Sequence, residues 1–462
     1  MNLNKTPPLR DVVKSRALLA DKRFASLWMA QGLAQTAQNA VLFSLLIVVL
    51  KLTGSSIHTS ILVLCFTLPS IPMGFVVGVV LDRVRKGEVL MLTSIARAGA
   101  CVLFLFFHDN ELAIYGIAVG FAVAGLFFNP AVVSVVPSLV SRERLVSANS
   151  LYNFTVTGSQ LLGMVFLAPL LLKSLSEDAV FITAAGMFLL AAAVAYRLRQ
   201  IPGERDPRAT NGDLLRRIPR EFRDSWRVLV ADRYSTLALA QLIVSSTLVL
   251  LFAILIPRYM QDVIGVPPDS AAIVFAPAGI GALVGLRFIP WFSKYGKNRM
   301  VVIGLTGVAA CVALLSAVEP LAEVTELAPG SEYFLRLLRV SLLQALAMLF
   351  AGPMGFFFSL LNAPAQTVLH ERAPPEMRGR IFATQVISAN FISLLPLLVI
   401  GALTDVVRVP VMLAVLALAL SGMAAVSHKV GGREMPPPEG TGESAPHPVD
   451  EPSSIDAPQG VR

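Results

Sequence analysis

Apolar runs of 18 residues or more recur along almost the whole chain, from about residue 24 to about residue 427. Each is long enough to cross about 30 Å of hydrocarbon as a helix. A large soluble protein can bury a helix this apolar, but not so many in succession with such short polar breaks. Composition agrees: the 462 residues are 15% charged, against about one quarter for an average soluble domain. The fold class expected is all-α integral membrane, with 12 transmembrane helices as two six-helix pseudo-symmetric bundles around a central cavity.

The spans fall at about 24–50, 58–81, 88–107, 112–136, 147–172 and 179–198, then at 234–256, 270–291, 300–318, 337–361, 381–400 and 409–427. This divides the chain into a basic N-terminus (1–23), a first bundle (24–198), a linker (199–232), a second bundle (233–427) and a tail (428–462). The tail is rich in Pro, Gly, Ser and acids, and cannot bury enough apolar surface to offset the entropy of ordering. From about Leu214 the linker has the pattern of an amphipathic helix, with Trp226 and Val230 toward lipid and arginines toward headgroups. No short apolar core with a small-residue cleavage site follows the N-terminus, so no signal peptide is expected.

Lys and Arg settle the expected orientation. With the N-terminus inside, the inner segments hold 30 and the outer loops 6. By the positive-inside rule both termini are cytoplasmic, in a multi-pass protein of the cell (inner) membrane. The net charge of +8 therefore belongs to loops on one side of a bilayer rather than to a nucleic-acid surface. Cys65, Cys101 and Cys311 lie singly in apolar runs, without metal-ligand spacing or a disulfide pattern.

The two halves repeat faintly. LALAQLIVSS (237–246) aligns with LWMAQGLAQT (27–36), so Gln241 matches Gln31, and Asn129 and Glu143 match Asn362 and Glu376. Parallel six-helix halves are one known plan for a secondary transporter, with the substrate near mid-membrane between them.

The stretch GFVVGVVLDRVRKGEVLM (74–91) joins the second and third spans. Gly78 permits close helix approach. An acid at the membrane edge can meet the positive N-terminus of a neighbouring helix. Gly78, Asp82, Arg83 and Lys86 resemble the conserved loop of the major facilitator superfamily. Arg85 stands where that pattern has a glycine, and the equivalent WFSKYGKNRM (291–300) has no acid. The resemblance implies that Asp82 latches the cytoplasmic side against the eleventh span. LWMAQGLAQ (27–35), LKLTGSS (50–56), NPAVVSVVPSLVSRERLVSANSL (129–151) and EMRGRIF (376–382) are similar to the enterobactin-exporter-like and macrolide-efflux-like permeases of that superfamily.

Gln31, Gln35, Gln38 and Asn39 share one face of the first span. An amide facing lipid leaves donors and acceptors unpaired, which costs several kcal/mol. The face therefore points inward, either to a neighbouring helix as interhelical glue or to a cavity. The resemblance implies the cavity, since the first span lines it in that family, and Gln241 recurs in the seventh span. The candidate substrate-contacting residues are Gln31, Gln35, Gln38, Asn39, Asn129, Asn153, Gln241 and Asn362.

No Asp or Glu lies deep in a span; Asp82, Glu111, Asp262, Asp269, Glu319 and Asp405 all lie at edges. Proton coupling commonly uses an intramembrane carboxylate, so a proton carrier here would be an edge acid or His58. Arg97 and Arg287 are the two charges well inside spans. Arg97 requires a partner, either the amides and carbonyls of the first half or an anionic substrate. Arg287 reads as snorkelling to the membrane edge.

No nucleotide loop, zinc spacing or clustered nucleophile set is present, so an enzyme is not expected and no cofactor is assigned. What the resemblance implies is a permease exporting an amphipathic small molecule by alternating access, as a monomer in the lipid bilayer, with proton or ion coupling open. A lipid or lysolipid flippase, an importer of the same fold, and a membrane sensor or scaffold without transport are the alternatives.

Overall fold

A computed structural model describes residues 20–81, 84–141, 144–199, 211–326, 341–374 and 377–431, which form helices joined by short turns, with no strand among them. Asp82, Arg83 and Glu376, singled out above, lie outside the described residues.

The first helix, α1 (Lys22–Thr53), begins where Asp21 accepts the backbone N–H groups of Arg23 and Phe24. It ends at Gly54, whose positive φ of 66° carries the chain out of the helix at no steric cost. The expected second span is two helices, α2 (Ser56–Thr67) and α3 (Ser70–Leu81). The break falls at Pro69, whose ring removes a backbone donor. There follow α4 (Lys86–Phe107), α5 (Glu111–Leu139) and α6 (Leu145–Gln160). A π-helical segment, Leu161–Leu167, then leads into α7 (Ala168–Ser174) and α8 (Glu177–Ala195).

The linker carries α9 (Asn211–Ala231). Its Leu229 and Ser225 are buried, Phe222 stacks on the half-buried Trp226, and Val230 is exposed. Ser225 and Leu229 thus set one face of its later half against protein. Next come α10 (Arg233–Tyr259), α11 (Ala271–Phe292), α12 (Lys297–Ser316) and α13 (Val318–Glu326), then α14 (Leu342–Arg372), α15 (Arg378–Thr404) and α16 (Val409–Gly431). The short α13 lies between the expected ninth and tenth spans.

Ten helices among the described residues are long and apolar enough to span a membrane; Gly158–Ser174 and Ile273–Ile289 are shorter apolar stretches. These two fall at the fifth and eighth expected spans. In the fifth, Gly163 brings the π-helical turn against the backbone of Thr36 so closely that a Cβ would lie 2.5 Å from its carbonyl oxygen.

Helix α1 packs on α8, α6 and the π-helical segment, while α4 packs on α5 and α8. Among the later helices, α14 packs on α11 and α12, α16 on α12, and α10 on α15. The apolar stretch of α1 is 78% buried, against 28–50% for the other nine long helices. An interior helix of this kind shows its polar groups to protein or to a space between helices, and not to lipid.

The early and late helices also meet. α2 and α3 run antiparallel to α15, with Ser56 beside Asp405, Ser60 against Gly401 and Ser70 bonded to Asn390. The π-helical segment touches α11, and α10 touches α1 and α2.

Candidate substrate-contacting site

The amides of α1 and their neighbours form a bonded network across three helices. Gln35 Nε2 donates to Asn129 Oδ1 on α5 at 3.2 Å. Asn39 Nδ2 donates to the Gln35 carbonyl at 2.8 Å. Arg97 Nη1, from α4, donates to Gln38 Oε1 at 3.0 Å. Gln35 is buried, whereas Gln38, Asn39 and Asn129 are half-buried. One amide flank of α1 thus grades from sealed to accessible.

Arg97 is fully buried. Its Nε donates to the Thr93 carbonyl at 3.3 Å, and its Cζ lies 4.4 Å from the Phe128 ring centre and 4.7 Å from that of Phe188. Aromatic faces carry negative charge density and offset part of the cost of desolvating a cation. Its Nη2 is buried with no hydrogen-bond partner. No ion pair to Arg97 occurs among the described residues. Of the two kinds of partner considered from the sequence, the Gln38 amide is in hydrogen-bond contact with Arg97.

Gln31 is sealed by protein on most sides, with its Nε2 unpaired. It borders a narrow recess, with room for about one water, between Phe24, Trp28 and Tyr152. Trp28 Nε1 donates to Thr155 Oγ1 at 2.6 Å, which holds α6 against α1 beside this recess.

The remaining candidates divide. Gln241 is buried on α10, and its Nε2 donates to Ser427 Oγ on α16 at 3.2 Å, a separate pair from the α1 network. Asn362, on α14, is half-buried, and its side chain makes no hydrogen bond among the described residues. Asn153 lies in α6, and its side chain is outside the description. Of the loop residues, Gly78 lies in α3 and Lys86 is buried at the start of α4, with its Nζ 3.5 Å from the Ser134 carbonyl on α5. Arg287 is exposed on α11.

Two groupings at the Ser55 end of the bundle escaped the sequence reading. His58 bonds Glu111 through Nδ1, and Tyr115 donates to Glu111 Oε1 at 2.6 Å. These residues stand 53 and 57 positions from His58, so no local motif marks the cluster. Asp405 bonds Ser55, Ser56 and Ile57, almost 350 positions away. Arg258, paired with Asp262 at 2.8 Å, donates to the Gly54 carbonyl at 3.1 Å beside it.

Burial pushes the Asp405 carboxyl up, but the hydrogen bonds from the Ser55 hydroxyl and the Ser56 and Ile57 backbones outweigh it. The group is held below its ordinary value of 3.8.

A bundle of apolar helices, with one interior helix carrying an accessible amide flank backed by a buried cation, defines a multi-pass membrane protein of the transporter class. The chain belongs to the Major Facilitator Superfamily, whose family model matches residues 27–395. It is 23% identical over 368 residues to the multidrug efflux pump Tap of Mycolicibacterium fortuitum, covering 77% of this chain and 83% of that protein. Its fold is similar to that of the nucleoside transporter NupG, with a TM-score of 0.69 at 13% identity over 90% of this chain and all of the other. The POT family transporter PepTSo is similar too, with a TM-score of 0.67 at 12% identity over 88% of this chain and 97% of the other.

Proposed function

We propose that this transporter exports an amphipathic small molecule by alternating access, and that the accessible flank of α1 forms part of its substrate-contacting wall. The observation carrying this reading is the set of reachable amide atoms on Gln38, Asn39 and Asn129, in helices that are otherwise apolar and hold no deep acid. A wall that is mostly apolar, with a few fixed polar points, suits a ligand with a large apolar body and a small polar group. The similarity to Tap supports export as the direction.

The two halves, 24–198 and 233–427, would move against each other about this wall, with both termini cytoplasmic. In that orientation Asp405 and Ser56 stand at the outer end, so their bonds favour a state closed to the outside. Asp82 and Arg83 would serve the opposite, cytoplasm-closed state.

The test is flux in proteoliposomes with and without an imposed pH gradient, using fluorescein and rhodamine 123 as amphipathic dyes. Movement that exceeds protein-free vesicles, and falls in a Gln35→Leu, Asn129→Leu variant of normal stability, supports the reading. Equal leak with and without protein under every gradient rejects transport of such compounds.

A further inference from the structure

We infer that Arg97 is a positioning residue that fixes the polarity of Gln38, so that the wall selects a substrate whose contacting group is a hydrogen-bond acceptor oxygen, uncharged or negative, and rejects lipophilic cations. This rests on the reading of the α1 flank as substrate-contacting.

A guanidinium only donates, so the Gln38 side chain must turn its carbonyl oxygen toward Arg97 Nη1. The amide orientation is therefore forced, unlike that of a glutamine facing another amide. Its Nε2 points the other way, has no hydrogen-bond partner among the described residues, and is not sealed. Two N–H donors, polarised by a cation behind them, are what this point offers a ligand. Next in sequence, Asn39 uses one amide N–H on the Gln35 carbonyl, and its Oδ1 is free to accept. A carbonyl, carboxylate, hydroxyl or carboxamide oxygen can accept from Gln38.

Charge points the same way. Arg97 is enclosed by Phe128, Phe188, Thr93 and Gln38, and none of these carries a negative charge. The guanidinium is thus uncompensated at close range, in a setting where screening by water is weak. At an effective dielectric of about 20, a unit charge some 7 Å away changes binding by at least about ten-fold, with opposite signs for anion and cation. The spans hold no deep acid to restore a site for a cation.

The experiment uses two dyes on one xanthene frame, anionic fluorescein and cationic rhodamine 123, titrated against the detergent-purified full chain by fluorescence polarisation. The expected result is a preference for fluorescein of about ten-fold or more, the size set by the Arg97 charge. Gln38→Glu places a carboxylate against Arg97 and should cancel that preference. Arg97→Lys keeps the charge and should retain it, while Arg97→Gln should lose it. The ratio of the two affinities is the readout, because a change in packing alone would move both dyes together. Equal affinities in the unaltered protein, a preference for rhodamine 123, or a ratio unmoved by Gln38→Glu would overturn the inference and leave the substrate wall standing. Absence of saturable binding of either dye, or binding indifferent to every amide substitution, would overturn the wall and the inference with it.

Discussion

The Asp405 carboxylate accepts the Ser56 backbone N–H at 2.7 Å across almost 350 residues of sequence. It also accepts from Ile57 at 3.3 Å and from the Ser55 hydroxyl. One acid at the end of α15 therefore caps the first turn of α2, a helix whose own N-cap residue, Ser55, makes no side-chain cap bond. An acid at a helix N-terminus satisfies orphan donors and meets the positive end of the helix dipole. Losing a cap costs about 1 kcal/mol, enough to change a two-state population about five-fold. Asp405→Ala should accordingly part the two helices at this end. Spin labels at Leu52 and Val406, both exposed, would report longer distances by double electron–electron resonance, with Cys65, Cys101 and Cys311 replaced. An unchanged distance distribution would remove Asp405 from the clasp.

The same clasp has a defined acid limit. The carboxyl is held below its ordinary value of 3.8 while bonded to α2. A lowered value means that the contribution is fully present above the ordinary value and disappears as pH falls through the lowered one. The labelled distance should stay constant from neutral pH to about pH 5, then lengthen on further acidification, well below where a histidine would titrate. A transition well above the ordinary carboxylate range would assign the response to a group other than Asp405.

Gln38 is tied to Arg97, which changes what its removal should do. In a plain cavity lining, Gln38→Leu would remove a ligand contact and spare the fold. Here it also strips an acceptor from a buried guanidinium whose Nη2 already has none. A hydrogen bond to a charged group is worth about 1.5–3 kcal/mol. Gln38→Leu should lower the melting temperature measurably in a thermal-shift assay, and Gln38→Met should do the same. Asn39→Leu should cost less, because Asn39 bonds a neutral carbonyl on its own helix. Equal melting temperatures for Gln38→Leu and the unaltered protein would show that water replaces the lost acceptor.

Much of the fold was legible because hydropathy alone places a membrane helix, and among the described residues ten helices of spanning length follow the apolar runs. The two weaker runs contain backbone features that hydropathy does not see, such as the π-helical turn at Leu161–Leu167. The split between α2 and α3 was readable in principle, since Pro69 and Pro72 interrupt TLPSIP. For the site, the shared face of Gln31, Gln35, Gln38 and Asn39 follows from helical spacing. Which of them is sealed does not, because that depends on where α4, α5 and α6 sit. Gln31 and Gln35 are buried while Gln38 stays reachable, although all three lie on one stripe. The pairing of Arg97 with Gln38, rather than with an acid, required the register between α1 and α4. His58 with Glu111, and Asp405 with Ser56, are long-range contacts with no local signature.

Glycine sets the spacing between α11 and α14, and this gives a sharp contrast between two positions. A Cβ on Gly355 would lie 1.8 Å from the Ala278 carbonyl oxygen, and one on Gly281 would lie 1.9 Å from that of Gly352. Both obstacles are backbone, which cannot rotate aside. In a bilayer the attraction between helices comes largely from such close backbone packing, because lipid offers apolar surface as readily as protein does. Gly355→Ala should therefore force α11 and α14 apart and yield protein that aggregates on size-exclusion chromatography or melts at a clearly lower temperature. Gly99, on α4, is exposed and would place a Cβ within 4 Å of nothing. Gly99→Ala gains up to about 1 kcal/mol of helix propensity and should leave the elution profile and melting temperature equal or improved. If Gly355→Ala behaves like Gly99→Ala, the two helices do not approach through these glycines.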